Sequence, residues 1–145
     1  MIGLLQRVSE ASVRVDGECI AAIGAGLLLL VGIQPQDDEM RAECLLQRVL
    51  GYRVFADRHG RMNRALRDTG GGLLLVPQFT LAADTRSGAR ASFSTAAPSA
   101  QAAALFAHLL LLAQRQHRSV ASGRFGADMK VALVNDGPVT FWLEA

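Results

Sequence analysis

Val131-Ala132-Leu133-Val134-Asn135-Asp136-Gly137-Pro138-Val139-Thr140-Phe141-Trp142-Leu143 reads as a β-hairpin. Two apolar runs rich in β-branched and aromatic residues, 131–134 and 139–143, flank a short polar turn. The informative step is Pro138 directly after Gly137. Proline donates no N–H and fixes φ, so it belongs at a strand start, an edge or an irregularity. X–Pro is also the only common place for a cis peptide. A Gly-Pro step leaves carbonyl oxygens at fixed angles with no side chain in front of them. It serves as a plain turn or as a rigid device for inspecting a small ligand.

Working outward, residues 2–8 and 12–15 read as strands, and Asp16-Gly17 is a two-residue hairpin signal before a strand at 18–23. Residues 25–33 form a near-continuous apolar run, the pattern of a strand covered on both faces. Asp37 or Asp38 can cap a helix reaching about Leu50, with Met40, Cys44, Leu45 and Val49 along its apolar stripe. A short strand is expected at 52–55 and a turn at 57–60. Gly70-Gly71-Gly72 introduces a buried strand at 73–76 that runs into Pro77-Gln78-Phe79-Thr80-Leu81. Residues 83–98 are small and polar, mostly loop, and a second helix follows from about Pro98 to about His117. Strands near 119–124 and 129–134 lead to the terminal hairpin. Strand-rich halves flanking two main helices predict a layered α/β (α+β-like) fold, β/β/α, with a mixed, largely antiparallel sheet in a single domain over residues 1–145.

Composition narrows the chemistry. Half of the residues are hydrophobic, which argues for a compact core and against disorder. The longest apolar runs, 27–31 and 109–113, are too short to span a bilayer. Cys19 and Cys44 form no CxxC and read as small buried hydrophobes in a reduced, cytoplasmic protein. His59, His108 and His117 are scattered, and no H-E-x-x-H, paired CxxC, Walker A loop or G-x-S-x-G elbow is present. Gly24-Ala25-Gly26 lacks the third glycine of a dinucleotide loop and precedes a strand, so it reads as a tight turn. An active site here would use backbone groups, neutral polar side chains and the substrate's own atoms. All basic residues but Lys130 are arginine. Codon bias in the source genome is one reading of that excess and the arginine fork's fit to phosphate and carboxylate the other; Arg53, Arg58, Arg61, Arg64 and Arg67 crowd into one segment that reads as a solvated face or a phosphate-facing patch.

Two segments, 73–85 and 134–143, together resemble the D-aminoacyl-tRNA deacylase family of the D-tyrosyl-tRNA deacylase type. The resemblance extends over the whole chain, through Gln6-Arg7-Val8, Ala11-Ser12-Val13, Ile23-Gly24-Ala25-Gly26-Leu27, residues 48–55, Gly60-Arg61-Met62-Asn63 and residues 123–129. It implies hydrolysis of the ester joining a D-amino acid, or glycine, to the terminal adenosine of tRNA, with L-amino acids rejected. It implies a homodimer with its active sites at the interface, no metal and no organic cofactor. Gly137-Pro138 would carry a cis peptide whose carbonyls hold the substrate's α-amino group in the partner's pocket. Arg7 matches the arginine that orients this motif. Gln78, Phe79 and Thr80 match the catalytic strand motif, and Met129 the methionine near the terminal adenine. Pro77 stands where the family usually has Ser, at the cost of a hydroxyl and an N–H beside the reaction centre. Arg90-Ala91-Ser92-Phe93 replaces Arg-Pro-Ser-Phe.

The residues support a mechanism without side-chain acid or base. Backbone N–H groups around Phe79 can stabilise an oxyanion, and the ribose 2′-OH can assist attack of water by proximity. Thr80 Oγ as covalent nucleophile is the rival mechanism, lacking a visible base. Other readings stand beside the main one. They are a catalytically weakened tRNA- or DNA-binding module, a related L-alanyl-tRNA editing deacylase with a trans Gly-Pro, and an interface-forming scaffold.

Overall fold

The computed structural model describes residues 1–145. In chain order the elements are β1 (Ile2–Val15), β2 (Glu18–Ile23), β3 (Gly26–Gly32), α1 (Glu39–Gly51), β4 (Phe55–Ala56), β5 (Met62–Arg64), α2 (Leu66–Thr69), β6 (Gly72–Pro77), a 3-10 turn (Phe79–Ala82), α3 (Ser99–Gln116), β7 (Val120–Ser122) and β8 (Lys130–Glu144). One six-stranded sheet holds all but the small β4–β5 hairpin. β1 is its organising strand. One edge of β1 pairs antiparallel with β3 over residues 2–8 and with β2 over residues 11–15, while the other edge follows β8. β3, β6 and β7 run parallel, which requires crossovers, and α1 and α3 lie in them. The sheet is therefore mixed and largely antiparallel, as expected.

The two cores explain the layers. Leu27, Leu29, Leu73 and Leu75 face α1 and α3, packing on Leu45, Leu46, Val49, Phe106 and Leu109. Leu28, Leu74 and Val76 point the other way, against Val8, Val13, Ile20 and Val131 of the curled half of the sheet. β3 and β6 are thus buried on both faces, which is why their sequences lack polar alternation. Where these strands start, a Cβ on Gly26 would lie 2.0 Å from the carbonyl oxygen of Gly72, so only glycine fits that approach. No helix is long and apolar enough to cross a membrane.

Several sequence expectations need correction. The terminal hairpin does not exist: 131–134 and 139–143 are two halves of one strand, β8, both paired with β1. Between the pairs Gln6↔Thr140 and Val8↔Asn135, β1 advances two residues and β8 five, so β8 carries three extra residues there. The apparent turn is a wide bulge. Similarly, β1 continues unbroken where two strands were expected, because β8 supports it along its whole length. Met40, 74% exposed, and Cys44 lie off the apolar stripe of α1, whose buried residues are Ala42, Leu45, Leu46, Val49 and Leu50. Cys19, on the edge strand β2, is exposed as well. Asp38 caps α1 through the Arg41 N–H at 2.9 Å, leaving Asp37 for a different task. Asp37 is buried and accepts the Met1 ammonium at 2.6 Å and the Gln34 N–H at 2.7 Å.

Candidate active site

Where β6 ends, the chain leaves the sheet as a reactive-looking corner. Pro77 pairs with Val31 as the last residue of β6, beyond the final β6–β7 pair at Leu75↔Ser122. The next N–H, that of Gln78, still reaches Val31 O at 2.8 Å. Neighbouring residues of a strand point their N–H groups to opposite edges. Pro77 therefore lacks its N–H on the β7 side, where the ladder has already stopped, and the strand loses no pairing bond.

The chain then winds into the 3-10 turn. Leu81 N–H bonds Gln78 O at 3.2 Å, and Ala83 N–H bonds Thr80 O at 3.2 Å. Phe79 and Thr80 open this turn, so their own N–H groups have no acceptor within it. Two adjacent free donors are what an oxyanion site needs. The turn lies directly on β3 because of Gly32. A Cβ there would stand 2.9 Å from Leu81 Cβ and 3.4 Å from Gln78 O. Gly32→Ala is expected to push the turn away from β3. Activity should fall about tenfold with little loss of secondary structure, checked by deacylation kinetics beside circular dichroism.

A cavity of about 530 Å³ opens beside this corner. Pro77, Gln78 and Phe79 form one wall, and Phe125, Met129 and Val131 contribute to the rest, with Ser99 and Ala102 from α3. Met129 is placed by Gly123: its sulfur accepts the Arg124 N–H at 3.3 Å and sits 2.7 Å from where a Gly123 Cβ would be. Phe79 is 57% exposed and leans on the half-exposed Phe93, ring centroids 5.1 Å apart. The loop that ends just before Phe93 is closed by paired backbone bonds between Asp84 and Ser92, at 2.8 and 3.0 Å. Asp84 in turn grips Arg86, whose guanidinium hydrogen bond holds the carboxyl well below its ordinary range. Thr80 is exposed and lies outside the cavity, on an adjoining groove with Trp142. Its hydroxyl accepts a hydrogen bond from the Gln78 side-chain amide. No three His, Cys, Asp or Glu side chains converge anywhere in the chain.

Arg7, Gly137 and Pro138 form a second group, and none of them lines that cavity. Gly137 and Pro138 are exposed at the bulge of β8, joined by a cis peptide. Arg7, on β1, is largely buried and donates from Nε to Asp136 O at 3.0 Å, while Nη1 donates to Val54 O. Its guanidinium also lies 3.3 Å from the Asp136 carboxylate. Asn135, which the sequence reading did not single out, spans the bulge from within. Its Oδ1 accepts the Val139 N–H at 3.0 Å and its Nδ2 donates to Thr140 Oγ1 at 2.8 Å. The signal was present: Asn before a turn habitually bonds the backbone ahead of it. The bulge is thus held from both sides while its tip stays uncovered.

Known proteins are similar to this chain over its whole length. The profile of the family described as D-Tyr-tRNA(Tyr) deacylase matches residues 4–144. A D-aminoacyl-tRNA deacylase of Thioalkalivibrio sulfidiphilus is 66% identical over 144 residues, covering 99% of this chain and 97% of its own. Another, from Stutzerimonas stutzeri, is 62% identical over 145 residues and the full length of both. Among solved structures, the c-Myc DNA Unwinding Element Binding Protein superposes with a TM-score of 0.96 at 37% identity, over 100% of this chain and 99% of that one. A probable eukaryotic D-amino acid tRNA deacylase shares the fold at a TM-score of 0.81 and 17% identity, over 99% and 98% of the two chains. Identity this high over the full chain, and a family profile that matches nearly all of it, make this chain a member of the D-aminoacyl-tRNA deacylase family, an enzyme that hydrolyses D-aminoacyl-tRNA.

Proposed function

We propose that two copies of the chain pair so that the Gly137-Pro138 bulge of each enters the cavity of the other, and that the ester is judged and cut there. One observation carries this reading. Within a single chain the cavity beside Gln78 and Phe79 has no contribution from the bulge, and the bulge is braced by Arg7 and Asn135 yet covers nothing. Each half supplies what the other lacks.

In this reading the carbonyls at Gly137-Pro138 hold the substrate's α-amino group, and their stiffness leaves no room for an L side chain. Glycine, having none, is admitted. An apolar pocket alone discriminates by only ~10–200-fold between similar shapes, so rejection falls to rigid main chain. The ester carbonyl lies over the free N–H groups of Phe79 and Thr80, each such donor typically contributing ~3–4 kcal/mol to the transition state. Water attacks the carbonyl carbon with help from the ribose 2′-OH, and the bond to the 3′ oxygen breaks to release the amino acid and tRNA. Gln78 sets the Thr80 hydroxyl by donating to it, and an amide cannot take that hydroxyl's proton, which speaks against Thr80 as nucleophile. Met129 and Pro77 flank the terminal adenosine. Pro77 supplies shape there without the hydroxyl that a Ser would bring. No metal or organic cofactor is required by this chemistry. Cys19 and Cys44, both unpaired, suit the reducing cytoplasm, where tRNA is charged.

The test is paired hydrolysis of D- and L-tyrosyl-tRNA at one enzyme concentration, with glycyl-tRNA alongside and the mass in solution measured. The D and glycyl esters are expected to be consumed by a dimer and the L ester left intact. Equal consumption of both mirror images, or full activity at a concentration where only monomer exists, overturns the reading.

A further inference from the structure

Residues 53–67 hold five of the chain's arginines, Arg53, Arg58, Arg61, Arg64 and Arg67, and all five are exposed. They sit on the approach to β4, the β4–β5 hairpin and α2, outside the main sheet. The acids in and next to this segment, Asp57 and Asp68, look as though they balance the charge, but their carboxylates are turned to another use. Asp57 accepts the His59 N–H at 2.8 Å, the Arg61 N–H at 3.0 Å and the Asn63 side-chain amide at 2.8 Å. Those bonds, led by that of Asn63, hold its carboxyl below the ordinary range. Asp68 accepts the Ala65 N–H at 2.7 Å. Neither pairs with an arginine, and no carboxylate lies within ion-pair distance of any of the five. Arg53 and Arg61 make no side-chain hydrogen bond, and Arg58 bonds only the neighbouring His59. Elsewhere Arg7, Arg86 and Lys130 have acidic partners, while the remaining arginines, like these five, have none but are not gathered into one segment.

The segment is rooted at the Gly137-Pro138 bulge. Val54, next to Arg53, is the residue whose carbonyl accepts Arg7 Nη1, and the same guanidinium holds the Gly137-Pro138 bulge through Asp136. We infer that this arginine arm binds the sugar-phosphate backbone of the tRNA whose aminoacyl end occupies the partner's cavity. The inference rests on the paired arrangement proposed above, because only there does the arm stand at the rim of a working pocket. A planar guanidinium matches a phosphate through two parallel hydrogen bonds. Arg64 donates to Asp68 O and Arg67 to Gln47, but none of the five has a carboxylate partner, so the row loses no ion pair on binding. An arm of this kind reads backbone and not base, so it serves many tRNAs.

The experiment compares wild type with the triple variant Arg53→Gln, Arg58→Gln, Arg61→Gln. Those side chains hold nothing in the fold, so its melting temperature should match wild type. On D-tyrosyl-tRNA its KM is expected to rise about tenfold or more at low salt. The slope of log KM against log salt should become shallower by about 2–3, near one for each phosphate left without its guanidinium. On D-tyrosyl-adenosine, which has no tRNA body, it should equal wild type. An unchanged KM and slope on tRNA, or an equal loss on both substrates, overturns the inference. So does an equal effect from Arg14→Gln, Arg115→Gln, Arg118→Gln, which removes the same charge elsewhere. Filter binding of uncharged tRNA reports the same slope change without catalysis. It therefore tests the arm even if wild type fails on both D-substrates, a result that would overturn the pocket reading alone.

Discussion

Gly137→Ala is expected to lose D-aminoacyl-tRNA hydrolysis by about 100-fold or more while the chain stays folded. Gly137 has φ of +137°, a region essentially closed to residues with a Cβ. Space is lacking as well. The added carbon would stand 2.6 Å from Val139 Cγ2, 3.0 Å from the Val139 nitrogen and 3.1 Å from Arg7 Nη2. The backbone atom cannot yield without breaking the bond from Val139 N–H to Asn135, and the guanidinium cannot yield without releasing Asp136. The bulge must therefore move, and its carbonyls with it. A displacement of about 1 Å in a positioning group is enough to reduce turnover ~100-fold. Because the tip is exposed and outside both cores, melting temperature should fall only slightly. Single-turnover rates on D-tyrosyl-tRNA, with thermal denaturation as control, decide the matter. Wild-type turnover in the variant would remove the bulge from the mechanism.

Asp37→Asn should destabilise the fold by about 3–5 kcal/mol, the usual loss when one partner of a buried ion pair is removed. The Met1 ammonium and the Asp37 carboxylate are both fully shielded from water, 2.6 Å apart. The ammonium also donates to Ala145 O at 2.8 Å, and Ala145 N–H returns a bond to Met1 O at 2.9 Å. This junction thus ties β1, β8 and the approach to α1. An asparagine can still accept the Gln34 N–H but leaves a buried cation without its counter-charge. For a chain of this size the loss corresponds to a melting temperature lower by roughly 10 °C. Asp38→Asn is the matched control, since Asn caps a helix about as well as Asp. If both variants melt with wild type, the buried pair contributes nothing to stability.

The two results bear on different layers of the protein. The first concerns an exposed irregularity outside both cores, and the second a junction whose residues, Met1, Asp37 and Ala145, do not line the cavity. Hydrolysis and stability should therefore separate cleanly in the two variants.

Local chemistry in the sequence determined much of this protein. Unbroken apolar runs at 27–31 and 73–76 required strands covered on both faces, and the cores on either side of them bear that out. Asp-Gly at 16–17 stated its turn, and the motif residues identified the family. The tertiary structure alone decided how β8 is paired. Val131 to Leu143 has the pattern of a hairpin, and only the presence of β1 alongside both halves turns it into one strand with three extra residues. Strand pairing is a contact between residues more than a hundred positions apart, and no local pattern encodes the partner. The same holds for Asp37, Asp57 and Asp68. In the sequence they are interchangeable carboxylates; in the fold one neutralises a buried ammonium and two are consumed by backbone N–H groups. Charge can be counted along a chain, but its availability depends on which donors the fold brings to it.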